Sequence, residues 1–207
     1  MSRIHVDTVP LGPLETNCYL VGDDDAREAV VIDPGAPDPS LDAMMEGWRV
    51  RAVVLTHAHW DHFGGAPHVI RHTKAPLLLG KEDLDLYRDP SSNLAALLGP
   101  EARVPEPDRL LEPGATVEFG DVTLTVAHAP GHSPGGIILK AEGIAFTGDT
   151  IFAGAVGRTD LPGGSGTQLA ETLEREILSL PDETILYPGH GPETSVERER
   201  RFNPFLA

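Results

Sequence analysis

The chain has 207 residues, of which 40% are hydrophobic and 23% are charged, and it contains one cysteine. This composition is typical of a globular domain, and a single cysteine excludes an internal disulfide. The formal net charge of −16 disfavours binding to nucleic acid or to an anionic membrane, since both need a basic surface. The sequence has neither a membrane-spanning apolar run nor the pattern of a secretion signal, so we predict one cytoplasmic domain over residues 1–207.

The first half of the chain is rich in short apolar segments that end at turn residues. We expect Ser40 to cap a helix over residues 41–48, and a second helix to begin at Asp61 and end near His72. Cys18 lies in an apolar stretch and is interpreted as a buried thiol. Residues 82–99 are expected to form one or two short helices. The predicted strands cover residues 3–8, 18–22, 28–33, 51–56 and 75–80.

The second half contains two predicted hairpins, over residues 115–130 and 135–149. Gly120-Asp121 and Glu142-Gly143 are turn dipeptides between apolar-rich segments. Residues 167–180 have helical spacing, with Leu169, Leu173, Ile177 and Leu180 on one face. A last strand over 184–190 precedes a charged tail. Strands that come in runs, with helices between and after them, indicate a layered α/β arrangement.

The segment "THAHWDH", residues 56–62, contains three histidines and an aspartate. Histidine is depleted from ordinary protein cores, whereas neutral imidazole and carboxylate groups are both ligands of zinc-like ions. His57 and His59 are two apart in an extended segment, so their side chains point the same way. This cluster therefore predicts a metal site.

Three later segments repeat one pattern, in which an apolar strand is followed by a tight turn and a possible ligand. They end in His132, Asp149 and His190. Each of these could instead be a turn residue, and Asp61 could be a helix cap. Together with the cluster they make seven candidate ligands, which suits two ions sharing one carboxylate. His68 and His72 are four apart but lack the glutamate of the zinc-protease pattern. They are interpreted as structural, as are His5 and His128.

The ordered segments "NCYLV", "VVIDPG", "THAHWDHFGG", "APGHSPGG", "FTGDTIF" and "YPGHG" resemble the metallo-β-lactamase superfamily, whose signature is His-x-His-x-Asp-His. This resemblance implies a four-layer αββα sandwich with two metal ions at one edge of the facing sheets. Within the superfamily, "GRTDLPGG" and the ending "NPFL" are similar to short glyoxalase II (hydroxyacylglutathione hydrolase) proteins. That similarity implies an enzyme that cleaves small thioesters.

By this resemblance, His57, His59 and His132 would hold the first ion, and Asp61, His62 and His190 the second. Asp149 would bridge the two. The expected ions are divalent, with zinc the first choice and iron or manganese as alternatives. Asp61 and Asp149 would position a metal-bridged hydroxide that attacks the thioester carbonyl, because a water shared by two cations loses a proton near neutral pH.

The sequence departs from glyoxalase II around the glutathione site. We expect no C-terminal helical glutathione-binding domain, and Asp160 and Pro192 stand where those enzymes have tyrosines. Arg158 matches a basic position and is predicted to bind an anionic group of the substrate. The arginines of the tail could compensate in part, but a solvated, salt-bridged helix face is the favoured interpretation for Arg198, Arg200 and Arg201.

Other functions compatible with the same residues are kept open. Persulfide dioxygenases resemble this chain but use one iron, which here would be held by His57, His132 and Asp149, and such a triad suits oxygen chemistry. A lactonase-type or β-lactamase-type hydrolase would use the same metal core. A catalytically silent metal-binding protein is the weakest hypothesis, because none of the seven ligands is missing. The expected partner is a small-molecule thioester, and the sequence does not indicate an oligomeric state.

Overall fold

The structure is a computed structural model that describes residues 4–99 and 104–206. The domain predicted from the sequence also includes residues 1–3, 100–103 and 207, which lie outside the described residues. In the described part of the chain, none of the helices is both long enough and apolar enough to cross a membrane.

The first sheet has six strands in the order β1-β2-β3-β4-β5-β6. Strands β1 to β3 are antiparallel, whereas β3 to β6 run parallel to their neighbours. Strands β2 and β5 are buried along their whole length, as expected for strands covered on both faces. The strands are β1 (Ile4–Leu11), β2 (Thr16–Asp23), β3 (Glu28–Ile32), β4 (Arg49–Leu55), β5 (Leu77–Gly80) and β6 (Arg109–Leu111).

The second sheet also has six strands, in the order β14-β13-β10-β9-β8-β7. Both predicted hairpins are confirmed, since Phe119 pairs with Val122 and Ala141 pairs with Ile144 around the expected turns. The strands are β7 (Thr116–Phe119), β8 (Val122–His128), β9 (Ile137–Ala141), β10 (Ile144–Gly148), β13 (Ile185–Pro188) and β14 (Thr194–Ser195). A small separate hairpin consists of β11 (Ile151–Phe152) and β12 (Ala155–Val156).

The two large sheets face each other, and helices cover their outer sides. One apolar cluster joins the facing sides of the sheets, with Val54 of β4 and Phe146 of β10 among its members. A second cluster packs the helical segments with Phe63 and Val69 on the other side of the first sheet. A third packs Leu169 and its neighbours against the second sheet. The predicted αββα layering is therefore confirmed.

The helices are α1 (Pro39–Met45), α2 (Trp60–Phe63), α3 (Ala66–Thr73), α4 (Leu84–Arg88), α5 (Ala95–Leu98), α6 (Gly166–Thr172) and α7 (Val196–Phe202). A 3₁₀ turn over Lys81–Asp83 precedes α4, so the prediction of short helices within residues 82–99 is confirmed. The segment predicted as one helix over 167–180 continues beyond α6 as a π-helical turn, Leu173–Ile177. The predicted apolar face of this segment does pack on the second sheet.

Two helix predictions were wrong in detail. Asp38, not Ser40, caps α1: its carboxylate accepts the Ser40 backbone N–H at 2.8 Å, and Pro39 occupies the first turn, where proline is well tolerated. The helix predicted from Asp61 to His72 is broken at Gly64 and Gly65. A side chain on Gly65 would lie 2.5 Å from the Ala36 carbonyl oxygen, so the break is packed directly against another loop.

Candidate metal centre

The histidine cluster begins immediately after β4, at the carboxyl end of a central strand. The chain leaves the sheet at Thr56, and His57 and His59 lie in the loop before α2. Asp61 and His62 lie in α2, whose N-cap is His59, so the alternative in which Asp61 caps a helix is wrong. His57, His59 and His62 are all buried.

The other three candidate ligands follow strands of the second sheet. His132 lies in the loop after β8, Asp149 directly follows β10, and His190 comes two residues after β13. The turn into His190 requires glycine, because a Cβ on Gly189 would lie 2.2 Å from Asp149 Oδ1. The structure thus brings all seven residues of the sequence prediction to one edge of the sandwich.

Three of the seven form what we call the three-histidine group: His57, His59 and His132. Ligand atoms of these side chains all lie within 4.8 Å of one another. His59 Nδ1 and His132 Nε2 are 2.9 Å apart, so both nitrogens face the same small volume. Three imidazoles that converge in this way match the ligand types of zinc and of other first-row metals.

The mixed group consists of Asp61, His62 and His190, which also offer ligand atoms within 4.8 Å of one another. Asp61 Oδ2 is 3.5 Å from His62 Nε2 and 3.3 Å from His190 Nε2. The Asp61 carboxylate also accepts a hydrogen bond from the Thr16 hydroxyl at 3.1 Å.

Asp149 lies between the two groups. Its Oδ1 is 3.3 Å from His62 Nε2, and its Oδ2 is 3.6 Å from the Nε2 atoms of both His132 and His190. One carboxylate therefore approaches side chains of the three-histidine group and of the mixed group, as a shared ligand must.

Unsatisfied polar atoms give evidence for a metal site that does not depend on the family resemblance. Four buried side-chain atoms at this site have no hydrogen-bond partner among the described residues: His57 Nε2, His59 Nε2, His62 Nε2 and Asp149 Oδ1. An unsatisfied buried polar atom costs about 1–3 kcal/mol, so four of them at one point call for a ligand that satisfies them together.

The electrostatics of the three-histidine group favour neutral rings. Burial, followed by the positive charge of neighbouring histidines, lowers the pKa of His57 well below its usual value. The same two causes lower the pKa of His59 to about 4. Neutral imidazole is the form that binds a metal, so these two rings are ready for an ion at neutral pH.

In the mixed group the histidine pKa values are raised instead of lowered. Burial acts to lower the pKa of His62, but the carboxylates of Asp149 and Asp61 outweigh it and raise that pKa. The pKa of His190 is also raised, because its hydrogen bond to Asp61 and the charge of Asp149 outweigh burial. Burial acts to raise the pKa of Asp61, yet the charge of His62 and the His190 contact lower it.

The second nitrogens of several candidate ligands are held by other parts of the chain. His62 Nδ1 is 2.9 Å from Asp33 Oδ2, and Asp33 also accepts hydrogen bonds from the Thr56 backbone and hydroxyl. The backbone carbonyl of Arg158 lies 2.8 Å from His132 Nδ1, and that of Leu14 lies 3.0 Å from His190 Nδ1. Such contacts orient metal-binding imidazoles and select their tautomers.

Asp83 is a second buried carboxylate that the sequence interpretation missed. It accepts hydrogen bonds from the Ala58 N–H at 2.9 Å, from the Ser133 hydroxyl at 2.8 Å and from the Gly135 N–H. Burial raises its pKa, although these three donors oppose the shift. Asp83 therefore joins the loop of His57 and His59 to the loop of His132.

The segment "NCYLV" of β2 connects the first sheet to the turn before His190. The Asn17 side-chain amide donates to the carbonyls of Pro188 and Gly191, and the Tyr19 hydroxyl donates to Pro188 at 2.6 Å. Cys18 is buried between them, as predicted, and burial raises its pKa. The polar residues of this apolar strand thus have a structural role at the site.

Arg158 is exposed beside the three-histidine group, and its guanidinium is paired with the carboxylate of Asp160 at 2.7 and 2.8 Å. The tail forms α7, in which Arg198 pairs with the buried Glu199 and Arg200 pairs with Asp182. The solvated, salt-bridged interpretation of the tail therefore agrees with the structure for these two arginines.

The remaining histidines lie apart from the seven. His5 contacts Asp7 at 2.9 Å, and His128 Nε2 is 2.9 Å from the Pro134 carbonyl. His68 lies 2.9 Å from Asp42, and with His72 these residues form a compact group at the surface. Their hydrogen bonds support the structural interpretation given above.

The ordered loops and the fold agree with one known family. A family model described as the metallo-beta-lactamase superfamily matches residues 11–190. The chain belongs to the metallo-beta-lactamase superfamily. Solved structures of this superfamily are closely similar in fold. The crystal structure of BLEG-1 B3 metallo-beta-lactamase has a TM-score of 0.91 and 37% identity, with 98% of this chain and 100% of that chain covered.

Other metallo-beta-lactamase relatives differ in their described activities. TTHA1623, solved in a di-iron-bound form, is 40% identical with a TM-score of 0.84, covering 97% of this chain and 100% of that one. Hydroxyacylglutathione hydrolase GloC of Haemophilus influenzae is 32% identical over 98% of both chains. Mitochondrial persulfide dioxygenase ETHE1 of Bos taurus is 33% identical, covering 92% of this chain and 71% of its own.

Proposed function

We propose that this chain is a two-metal hydrolase of small thioesters, similar in activity to hydroxyacylglutathione hydrolase. The observation that carries the proposal is the complete set of seven donors, arranged as two groups with Asp149 between them. The relation to GloC, which extends over nearly the whole of both chains, supports thioesters as the substrate class.

The residues would hold one ion in the three-histidine group and one in the mixed group, with Asp149 shared. Zinc is the first choice for imidazole and carboxylate ligands, and iron or manganese are the alternatives. Iron is also supported by the di-iron form of TTHA1623. When bound, such ions supply an activated water near neutral pH and stabilise negative charge that develops on a carbonyl oxygen.

The chain's own residues would set the geometry of this reaction. Asp33 and the Leu14 carbonyl orient His62 and His190, while Asp83 holds the two loops of the three-histidine group together. In the overall reaction a C–O bond forms from water and the C–S bond breaks, giving a carboxylate and a thiol. Because an ordinary thiol has a pKa of about 8.5, the leaving thiolate needs little protonation, so a dedicated acid residue is not required.

The second candidate function is persulfide dioxygenation, which is supported by the similar identity to ETHE1. A single iron on His57, His132 and Asp149 would leave the mixed group without a role. Asp61, His62 and His190 nevertheless offer ligand atoms that converge within 4.8 Å of one another, as a second ion would require. We therefore favour the hydrolase.

The experiment is a substrate panel on protein reconstituted separately with zinc, manganese and, under anaerobic conditions, ferrous iron. S-lactoylglutathione, a γ-lactone, a β-lactam and glutathione persulfide are each supplied, the last with oxygen. Thioester turnover by a protein with two ions per chain supports the proposal. Oxygen uptake with persulfide at one iron per chain, without thioester turnover, would replace it by the dioxygenase. Turnover confined to the lactone or the β-lactam would keep the hydrolase but change its substrate class.

A further inference from the structure

A groove opens beside the mixed group, between the β1–β2 turn and helices α2 and α3. It encloses about 270 Å³, and apolar side chains supply most of its lining, including Leu11, Leu14, Trp60 and Leu98. Pockets with mainly apolar walls and a few placed polar groups are typical of small-molecule sites.

The groove and the candidate metal centre share Asp61, which is one of the lining residues of the groove. The carboxylate of Asp61 is 3.3 Å from His190 Nε2 and 3.5 Å from His62 Nε2. Leu14 also belongs to both features, because it is a lining residue of the groove and its carbonyl holds His190. A molecule whose reacting carbonyl lies at the mixed group can therefore extend directly into the groove.

Arg71 of α3 adds a positive charge to the lining. No acidic residue among residues 4–99 and 104–206 lies within 4 Å of its guanidinium, whereas Arg158 is held by Asp160. His68 also lines the groove, but its Nε2 is already 2.9 Å from Asp42. In a chain with a net charge of −16, an arginine without an acidic partner beside an apolar groove is suited to bind an anion.

We propose that the groove binds one arm of the substrate, an arm that is apolar next to the thioester and carries a carboxylate or phosphate further along. This rests on the proposed function and narrows its substrate class. The apolar walls would receive the alkyl or aryl part, and Arg71 would pair with the anion. The arm can belong to the acyl half or to the thiol half of the thioester, because either half can point along the groove.

The test compares four thioesters on the metal-loaded protein. S-adipoyl-N-acetylcysteamine has the anion on the acyl side, and S-hexanoyl-N-acetylcysteamine is its neutral counterpart. The S-acetyl ester of 6-mercaptohexanoate has the anion on the thiol side, and the S-acetyl ester of hexanethiol is its neutral counterpart. The variants are Arg71→Gln, Leu14→Asp and the control Arg109→Gln, which removes an exposed arginine of β6.

Arg71→Gln is expected to lower the anionic-to-neutral ratio of kcat/KM about tenfold or more in one of the two pairs, through KM, as a contact to a charged group predicts. The pair that responds identifies the half of the substrate that occupies the groove. Leu14→Asp is expected to weaken both members of that pair, and Arg109→Gln to leave both ratios unchanged. Equal ratios for Arg71→Gln and wild type in both pairs would overturn the proposal.

A binding measurement that needs no turnover tests the groove proposal separately from the proposed thioesterase function. Adipate is titrated calorimetrically into metal-loaded wild type, Arg71→Gln and Arg109→Gln. Binding that weakens about tenfold in Arg71→Gln alone supports an anion-binding groove, even if every thioester is inert. Adipate affinity that is equal in wild type and Arg71→Gln removes the groove proposal and leaves the thioesterase to be judged on the acetyl esters.

Discussion

The two halves of the candidate metal centre are built on opposite electrostatic principles. Burial lowers the pKa values of His57 and His59 in the three-histidine group, so these two rings are neutral near pH 7. In the mixed group, nearby carboxylates raise the pKa values of His62 and His190, although His62 is as buried as His57. The first half is prepared for an ion, whereas the second must release protons before an ion binds.

The largest expected effect is that of Asp149→Ala, which should disrupt ion binding in both groups at once. Asp149→Ala removes the carboxylate that approaches both groups, so two cations would lose their shared ligand and the screening between them. We expect metal content to fall from two ions to below one per chain. Thioesterase activity should fall at least about a hundredfold, since even residues that only orient ligands cost 10–100-fold.

Metal content by mass spectrometry after dialysis checks this prediction. His68→Ala is the matched control, because His68 is a histidine that contacts Asp42 at the surface and not the seven candidate ligands. If Asp149→Ala and His68→Ala retain equal amounts of metal, Asp149 does not join the two halves.

A substitution of Asp33 should affect the ion affinities of the two groups to different extents. Its carboxylate holds His62 Nδ1 directly at 2.9 Å, whereas its link to the three-histidine group runs through the Thr56 hydroxyl, which lies 3.2 Å from His57 Nδ1. Asp33→Asn is therefore expected to lower the affinity of the mixed group for its ion by about 10–100-fold and to weaken the first ion less. Stepwise metal titration measures both affinities.

The matching variant for the three-histidine group is Asp83→Asn, which alters the carboxylate that joins the loop of His57 to the loop of His132. This variant should weaken the first ion more than the second. If both variants lose both ions to the same extent, Asp33 and Asp83 do not each stabilise one of the two groups.

The opposite pKa shifts predict different pH dependences for the two ions. His62 and His190 retain protons above their usual pKa, and an ion must displace them, so the affinity of the mixed group rises with pH through the neutral range. His57 and His59 have lowered pKa values and carry no such proton, so these two ligands add no pH dependence to the first affinity between about pH 6 and pH 8. Each displaced proton is worth about a tenfold change in affinity per pH unit.

The same shifts have a consequence for folding of the metal-free protein. Raised pKa values at His62 and His190 stabilise the folded metal-free protein at pH values below the unfolded pKa of these histidines. This stabilisation is lost as the pH rises through their folded pKa values.

The pH dependence of ion binding is checked by titration calorimetry in buffers of different ionisation enthalpy, which counts the protons released when each ion binds. Equal proton release from both halves would contradict the comparison.

The smallest expected effect concerns Arg158, beside the three-histidine group. Arg158→Gln should raise KM for an anionic thioester more than for a neutral one, by about tenfold at most, because pairing with Asp160 already satisfies the guanidinium. Asp160→Asn would release the guanidinium and should lower KM for the anionic substrate. An equal loss on both substrates with a lower melting temperature would instead identify Arg158 as a brace of its loop.

Local patterns predicted a layered α/β arrangement, both hairpins and the convergence of the seven residues, because these depend on alternating strands, turn dipeptides and ligands that follow strands. The αββα order of the layers was implied by the family resemblance. Asp33 and Asp83 were missed, since a single aspartate after a strand or in an acidic stretch has no distinctive spacing. The break at Gly64 and Gly65 depends on the packing of the loop at Ala36, which is distant in the chain. Strands of two or three residues, such as β6 and β14, are too short to have a measurable period.

The arrangement of ions around Asp149 tests the central assignment most directly. Crystals of metal-loaded protein, with anomalous diffraction recorded at the absorption edge of the bound metal, locate each ion without reference to activity. The two-ion assignment predicts one ion among His57, His59 and His132, a second among Asp61, His62 and His190, and Asp149 coordinated to both. A single ion on His57, His132 and Asp149 in fully loaded protein, with the mixed group unliganded, would contradict it.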